Sequence, residues 1–526
     1  MKKLLVIALV FALSLSVVFA QAAKEETKVQ TASSDFVYDG NGPITDLDGQ
    51  HLSVLAQNSY YTTVDLRQAP IIKKVQEDAN VTVDWTLIDP TNYQDAVSPM
   101  LASGTDLPDI VLLPTLDPNQ QYSSSGMFVA LDEYFDLMPN FTKWLDENPE
   151  TKASLTASDG HIYYVPLTNV TKNYQPVLMY NYKWLSDAGF SVPTTLDELL
   201  TVMRYYNSHD MNGNGKQDEV ALSIQAAFLP YMFGPAFGLN FTSSDGFFAK
   251  DDGTVVYAQA TPEYKEYLEF LNGMYKEGLL ELEYTTLTRD QIIERFAQDK
   301  TGITFDFGWQ SSMTYSPQLP YYDGTMATGV VLERPVEGPH GCFYVGRNAI
   351  GGIYGVNADS DRIELAVKFL DYAMCEKNQE MYVWGIEGES YTVEPDGTKK
   401  YTEKASDNNW LQSLGINPAQ VFPAQQSVES TDALVAKWHA DQDDVVATYV
   451  KSPWPFIYST EDEASVVSMY MVDIQTYVDE MAVAFVTGTT PLSEYDAYVD
   501  ALNKMNLQDL LKVKQAQWDR YAKAMN

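Results

Sequence analysis

Residues 209–220 read HDMNGNGKQDEV, and oxygen-bearing side chains alternate along them. With Asp210 as the first position, Asn212 is third, Asn214 fifth, Gly215 sixth, Lys216 seventh, Asp218 ninth and Glu219 tenth. Hard oxygen donors at alternate positions, with glycine where the chain must turn sharply, are what Ca²⁺ requires. Lys216 would contribute its backbone carbonyl. Ala221 stands where an EF-hand carries its bidentate Glu. Asp218 and Glu219 would close the shell instead, making the loop EF-like rather than an EF-hand. The alternative is a solvated Asn/Gly turn. The donors are all local in sequence, and a saturated oxygen shell leaves no position for substrate or an activated water. The expected ion is structural.

No other pattern announces catalysis. His51, His161, His209, His340 and His439 form neither HExxH nor HxH. There is no GxSxG elbow, no GxGxxG turn and no phosphate-binding loop. The 72 Asp and Glu residues leave a glycosidase-type carboxylate pair open without singling one out.

The oxygen-rich loop must be positioned by the elements around it. VPTTLDELLTVMRYYNSHD (192–210) reads as a helix running straight into the loop. Thr195 and Glu198 have the spacing of a capping box, and Leu196, Leu199, Leu200 and Met203 share one face. HLSVLA (51–56) and VTVDWTLI (81–88) read as strands, with APIIKKVQEDA (69–79) as a helix between them. NYQDAVSPMLASG is helical up to Gly104, and PDIVLLP (108–114) is a short apolar strand of the kind buried in parallel sheets. RIELAVKFLDYAM (362–374) is an amphipathic helix, and the chain from Pro491 onward is helical in character. Strands alternating with helices indicate α/β architecture. Residues 24–42 are polar and aperiodic, so a flexible leader is expected over 23–45.

A chain of 526 residues exceeds one ordinary core, so two or more domains are expected. The absence of a long linker suggests lobes between which the chain crosses more than once. A net charge of −38 argues against nucleic acid and against an anionic membrane surface. The 35 Tyr and 9 Trp residues supply either cores or platforms for flat apolar faces such as sugar rings. Residues 1–22 have the form of a signal peptide: Lys2 and Lys3, an apolar run over 4–20, and small residues suited to cleavage after Ala20 or Ala22. An uncleaved anchor is the alternative. No Cys follows the run and no later stretch is long and apolar enough to span a bilayer, so a soluble periplasmic or secreted protein is expected. Cys342 and Cys375 are compatible with a disulfide or with two buried free thiols.

Several motifs, taken in order, resemble the large extracellular solute-binding proteins of bacterial ABC importers, family 1. They are most similar to the lipoprotein-type oligosaccharide binders that include the alginate-oligosaccharide-binding proteins. The matching stretches are LASGTDLPDIVL (101–112), GMFVALDEYFD (126–136), DGHIYYVPLT (159–168), LMYNYKWLSDAGFSVPTTLDEL (178–199), the oxygen-rich loop, FAQDKTGITFDFGW (296–309), ERPVEGPHG (333–341), FLDYAM (369–374) and WGIEGESYT (384–392). The chain departs from the family in lacking the lipid-anchored Cys. It also reads Tyr180-Asn181-Tyr182-Lys183-Trp184 where relatives often carry Arg and Asp. The resemblance implies a two-lobe periplasmic-binding-protein fold of class α/β, with hinge crossovers and a ligand cleft between the lobes. It implies lobes over 46–172 with 322–372, and over 173–321 with 373–526. It further implies a monomer that captures a carbohydrate by hinge closure and delivers it to the membrane permease of an ABC importer. The rival readings are a secreted glycoside hydrolase or polysaccharide lyase, and a surface adhesin.

Within that frame, candidate ligand-binding residues are those near strand ends. Trp309 follows TFDFG, Trp384 precedes GIEG, and Tyr60 and Tyr61 follow the first strand. Asp117 lies just past the apolar strand, at the carboxyl edge where α/β sheets bind ligands. Tyr180, Trp454 in SPWPF and Arg334 complete the set, Arg334 as a partner for an anionic sugar or in a surface ion pair. Each aromatic has core packing as its alternative, and for Trp85 the alternation with Val81 and Val83 favours the core.

Overall fold

The computed structural model describes residues 36–58, 64–114, 122, 125–168, 176–241, 246–416, 422–423, 425 and 427–525. The first strands are β1 (His51–Gln57), β2 (Thr82–Ile88), β3 (Ile110–Leu112) and β4 (Tyr164–Thr168). β5 (Val177–Asn181), β6 (Val220–Ser223), β7 (Phe247–Ala249), β8 (Val255–Tyr257), β9 (Thr301–Asp306) and β10 (Val330–Leu332) follow. β11 (Tyr344–Val345), β12 (Ile350–Val356), β13 (Tyr391–Val393), β14 (Lys399–Tyr401) and β15 (Val450–Lys451) complete them.

Two sheets carry the architecture. The first has the order β2-β1-β3-β12-β4, the second β10-β5-β9-β6. β1 runs parallel to β2 and β3, while β12 is antiparallel to both β3 and β4. Hence β1 to β4 all point the same way, and β12 is inserted against them from far along the chain. In the second sheet β6 is parallel to β9, and β5 is antiparallel to β9 and β10.

Local sequence explains the elements. β2 sits at a sheet edge and alternates exposed and buried residues, whereas β3 is buried throughout. The helix Pro70–Ala79 joins β1 to β2, with Ile71, Ile72 and Val75 inward. The helix Tyr93–Ser103 ends at Gly104, whose φ of 62° lies in the left-handed region that suits glycine. The helix Ile363–Ala373 buries Ala366, Val367 and Leu370 as its periodicity predicts. Leu370 alone contributes about 2 kcal/mol by leaving water. The helix Leu196–Tyr206 starts with Thr195 accepting from the Glu198 N–H. Only half of the expected capping box forms, because the Glu198 carboxylate binds the N–H and hydroxyl of Thr194, one residue earlier.

Each sheet has its own apolar core. The first gathers residues from Ile44 to Leu167, from Ile350 to Phe422, and then Phe456 and Tyr458. The second gathers residues from Val177 to Tyr344, Val446, and the stretch from Val467 to Leu510. The expected lobe limits change accordingly. β10 pairs with β5 in the second sheet rather than joining the first lobe. The helix Glu376–Trp384 packs through Tyr382 on the first core rather than joining the second lobe.

The expected leader is also corrected where it is described. Ile44 is fully buried. The Tyr38 hydroxyl donates to Asp371 Oδ2 at 2.7 Å, and the Gly40 carbonyl accepts from Asn140 at 2.7 Å. Residues 1–35, with the expected signal peptide, lie outside the described residues. Among the described residues no helix is long and apolar enough to cross a membrane. Cys342 and Cys375 are free thiols.

Candidate ligand cleft and cation loop

The chain passes from the carboxyl end of β4 at Thr168 to the amino end of β5 at Val177, and from β10 through β11 back to β12. The carboxyl ends of β1 to β4 therefore lie on the side from which the crossings leave. So do those of β6, β9 and β10 in the second sheet. This is the edge at which open α/β sheets bind ligands.

The crossings are tied to one another. β11 pairs in parallel with β15. The Tyr344 hydroxyl donates to the Glu333 carbonyl at 2.6 Å and accepts from the Leu178 N–H at 3.1 Å. Gly346 donates to the Lys451 carbonyl at 2.8 Å, and a Cβ there would stand 2.7 Å from that oxygen, so only glycine fits.

The second sheet presents chemistry at this edge. Trp309, just past β9, is 38 % exposed, more open to solvent than the other tryptophans among the described residues. Beside it Phe307 carries the Arg347 guanidinium 5.4 Å over its ring. Asp306, at the end of β9, is gripped by Arg289 through two bonds of 2.8 Å and by the Tyr315 hydroxyl at 2.6 Å. Glu333 follows β10, and burial pushes its carboxyl up to about 7, partly offset by the Arg334 N–H. Asn58 Oδ1, Gln225 Oε1 and Ser312 Oγ, just past β1, β6 and β9, are buried without hydrogen-bond partners.

The remaining sequence candidates are placed differently. Tyr180 is fully buried in the second core, and Trp384 is 2 % exposed among Tyr391 and Tyr401. Both are packed against neighbouring side chains. Trp454 is half-buried against Trp518, with ring centroids 5.6 Å apart. Among the described residues Arg334 forms no ion pair with a carboxylate. It donates to Cys342 Sγ at 3.2 Å and lies over Tyr449 at 5.3 Å. Tyr60, Tyr61 and Asp117 lie outside the described residues. Sequence reasoning missed Glu333, Phe307, Arg347 and Tyr344. For Glu333 and Phe307 a signal was available, since Glu333 directly precedes Arg334 and Phe307 stands two residues before Trp309.

The oxygen-rich loop lies at the opposite edge, before the amino ends of β6 and β9. Gly213 and Gly215 turn it with φ of 72° and 79°. Asp210 accepts the N–H groups of Asn214 and Gly215 at 3.1 and 2.7 Å. Asn212 Oδ1 accepts from Asn214 and Asn214 Oδ1 from Lys216, at 3.0 and 2.7 Å. Glu219 braces the loop by accepting from Met211 and Asp218 at 2.9 and 3.1 Å. Asp218 pairs with Lys300 at 2.8 Å. Among the described residues, no three His, Cys, Asp or Glu side chains gather as a metal-binding group. The donor set is nonetheless that of a hard cation: carboxylates, amide oxygens and a carbonyl within one glycine-turned loop.

Two sheets with separate cores, joined by several crossings at their carboxyl edges, define a two-lobe binding-protein fold. The model of the bacterial extracellular solute-binding protein family matches residues 70–388, and the chain belongs to that family. It is 24 % identical over 506 residues to the fructooligosaccharide ABC transporter substrate-binding protein FusA of Streptococcus pneumoniae, covering 89 % of this chain and 90 % of FusA. It is similar in fold to the alginate-binding protein AlgQ2, solved without calcium ion, with a TM-score of 0.71, 20 % identity and coverage of 90 % and 99 %. An EF-hand mutant of S. pneumoniae FusA in complex with fructo-nystose gives a TM-score of 0.72, 22 % identity and coverage of 90 % and 100 %.

Proposed function

We propose that this exported protein captures an oligosaccharide in the cleft between its lobes and hands it unchanged to the permease of an ABC importer. One observation carries the reading. The carboxyl edge of the second sheet combines an exposed indole with unpartnered buried polar atoms. A sugar ring offers a flat C–H face for stacking and hydroxyls for hydrogen bonds, and pairs with both. The ligand classes of FusA and AlgQ2, fructooligosaccharide and alginate, support the same reading. The protein acts as a monomer, and closure of the lobes buries the ligand.

Ca²⁺ occupies the loop in this reading, held by Asp210, Asn212, Asn214, the Lys216 carbonyl, Asp218 and Glu219. Its contribution is a fixed positive charge that neutralises three carboxylates and orders the loop, remote from the cleft. An EF-hand mutant among the solved forms of FusA supports a cation loop in this reading.

The test is a thermal-shift screen of the Ca²⁺-loaded protein against neutral and uronate oligosaccharides, followed by mass spectrometry of the mixtures. A stabilising sugar recovered intact is the expected result. A sugar recovered cleaved would make the protein an enzyme, and no stabilisation by any would remove carbohydrate as the ligand class.

A further inference from the structure

Asp299 occupies a position that local rules assign to glycine. It is the first residue past the cap of the helix Arg289–Ala297, with φ of 50°. Its N–H bonds the Phe296 carbonyl at 3.0 Å, and the Lys300 N–H bonds the Arg295 carbonyl at 2.9 Å. This is the Schellman ending, whose left-handed residue is usually Gly. Here the side chain is put to use. Asp299 is 8 % exposed. Its Oδ1 accepts from Trp184 Nε1 at 3.0 Å, from the Tyr321 hydroxyl at 2.9 Å and from Asn181 Nδ2 at 3.3 Å.

The same turn grips the oxygen-rich loop. The Asp299 carbonyl accepts from Asn212 Nδ2 at 3.0 Å, and Lys300 Nζ reaches Asp218. With its nitrogen bound there, the Asn212 amide must turn its oxygen toward the loop, where Asn214 donates to it. A flipped amide would set two oxygens against each other. Trp184 also packs edge-on against Tyr206, 5.2 Å away, the last residue of the helix that enters the loop. One indole therefore touches both the loop's entry and the turn that holds it.

We infer that Asp299 is a positioning residue for the cation loop, orienting Asn212 through its carbonyl while Trp184, Tyr321 and Asn181 hold its carboxylate. The inference rests on the Ca²⁺ reading above. Partners that orient a metal ligand typically contribute 10–100-fold to affinity.

The test is calorimetric titration of Ca²⁺ into chelator-stripped full-length protein. Asp299→Asn keeps the Oδ1 acceptor and tolerates the backbone, and should bind like wild type. Asp299→Gly keeps the backbone and loses the carboxylate, and should bind about 10-fold more weakly. A residue that only ends a helix predicts the reverse, since Gly suits that ending best. Wild-type affinity in Asp299→Gly would overturn the inference. If that variant does not fold, Trp184→Phe, which removes the indole donor to Asp299, decides: Ca²⁺ binding weakened several-fold supports the inference, and unchanged affinity overturns it. Wild-type protein that takes up no Ca²⁺ removes the metal reading itself, and the inference with it.

Discussion

The Tyr344 hydroxyl donates to the Glu333 carbonyl across 2.6 Å while accepting the Leu178 N–H. One phenol thus joins the strand that leaves the second sheet to the strand that enters it. Tyr344→Phe keeps the buried ring and deletes both bonds. The expected loss is about 1–3 kcal/mol, because Leu178 is left with a buried unpaired donor. Urea unfolding of the two proteins measures it, and equal midpoints would show that the hydroxyl joins nothing.

Trp309 is the exposed indole at the carboxyl edge. Trp309→Ala should weaken binding of a sugar found in the screen by about 10-fold or more, in the range of a lost aromatic anchor. Its melting temperature should hold, because little buried contact is lost. Titration calorimetry and a thermal melt together check this, and full affinity in the variant takes Trp309 out of the site.

Stability should fall as pH rises from 5 to 8. Burial pushes the Glu333 carboxyl up to about 7, and burial pushes that of Asp371 up to about 6. Between the ordinary carboxylate range and those values, the folded protein holds protons that the unfolded chain has released. Stability then decreases with pH through that window. Glu333→Gln should flatten the upper part of the profile. Denaturant midpoints at each pH test it, and parallel profiles for variant and wild type would refute it.

Removing Ca²⁺ with EGTA should lower the melting temperature by several degrees. A ligand at a hundred times its Kd adds about 2.7 kcal/mol to the folded state. Sugar affinity should change little, since the loop lies at the edge opposite the cleft. Scanning calorimetry before and after chelation gives the answer, and an unchanged melt with metal removal proven would count against the ion.

The sequence was most legible where one short-range rule governs. β2 shows its alternation and the helix Ile363–Ala373 its apolar face. Pairing over long distances was not legible. Nothing in TGVVLERP says that Val330–Leu332 pairs with β5 rather than within the first lobe. Aromatic residues misled for a related reason. Tyr180 and Trp384 look like ligand platforms only if their surroundings are unknown, and both are buried. The sequence marked the position of Glu333, next to Arg334, but not the burial that raises its carboxyl, which folding alone supplies. The leader appeared free because its anchor, Asp371, is 333 residues from Tyr38.

The late insertion of β12 sets an order in time. The chain is made from the amino end first. The second sheet is complete once Leu332 has arrived, because β5, β6, β9 and β10 are then all present. The first sheet begins earlier yet waits longer, for β3 and β4 flank a gap that only Ile350–Val356 fills. The sheet begun first is thus completed last, and until then its open strand edges are a part of the newborn chain exposed to mispairing.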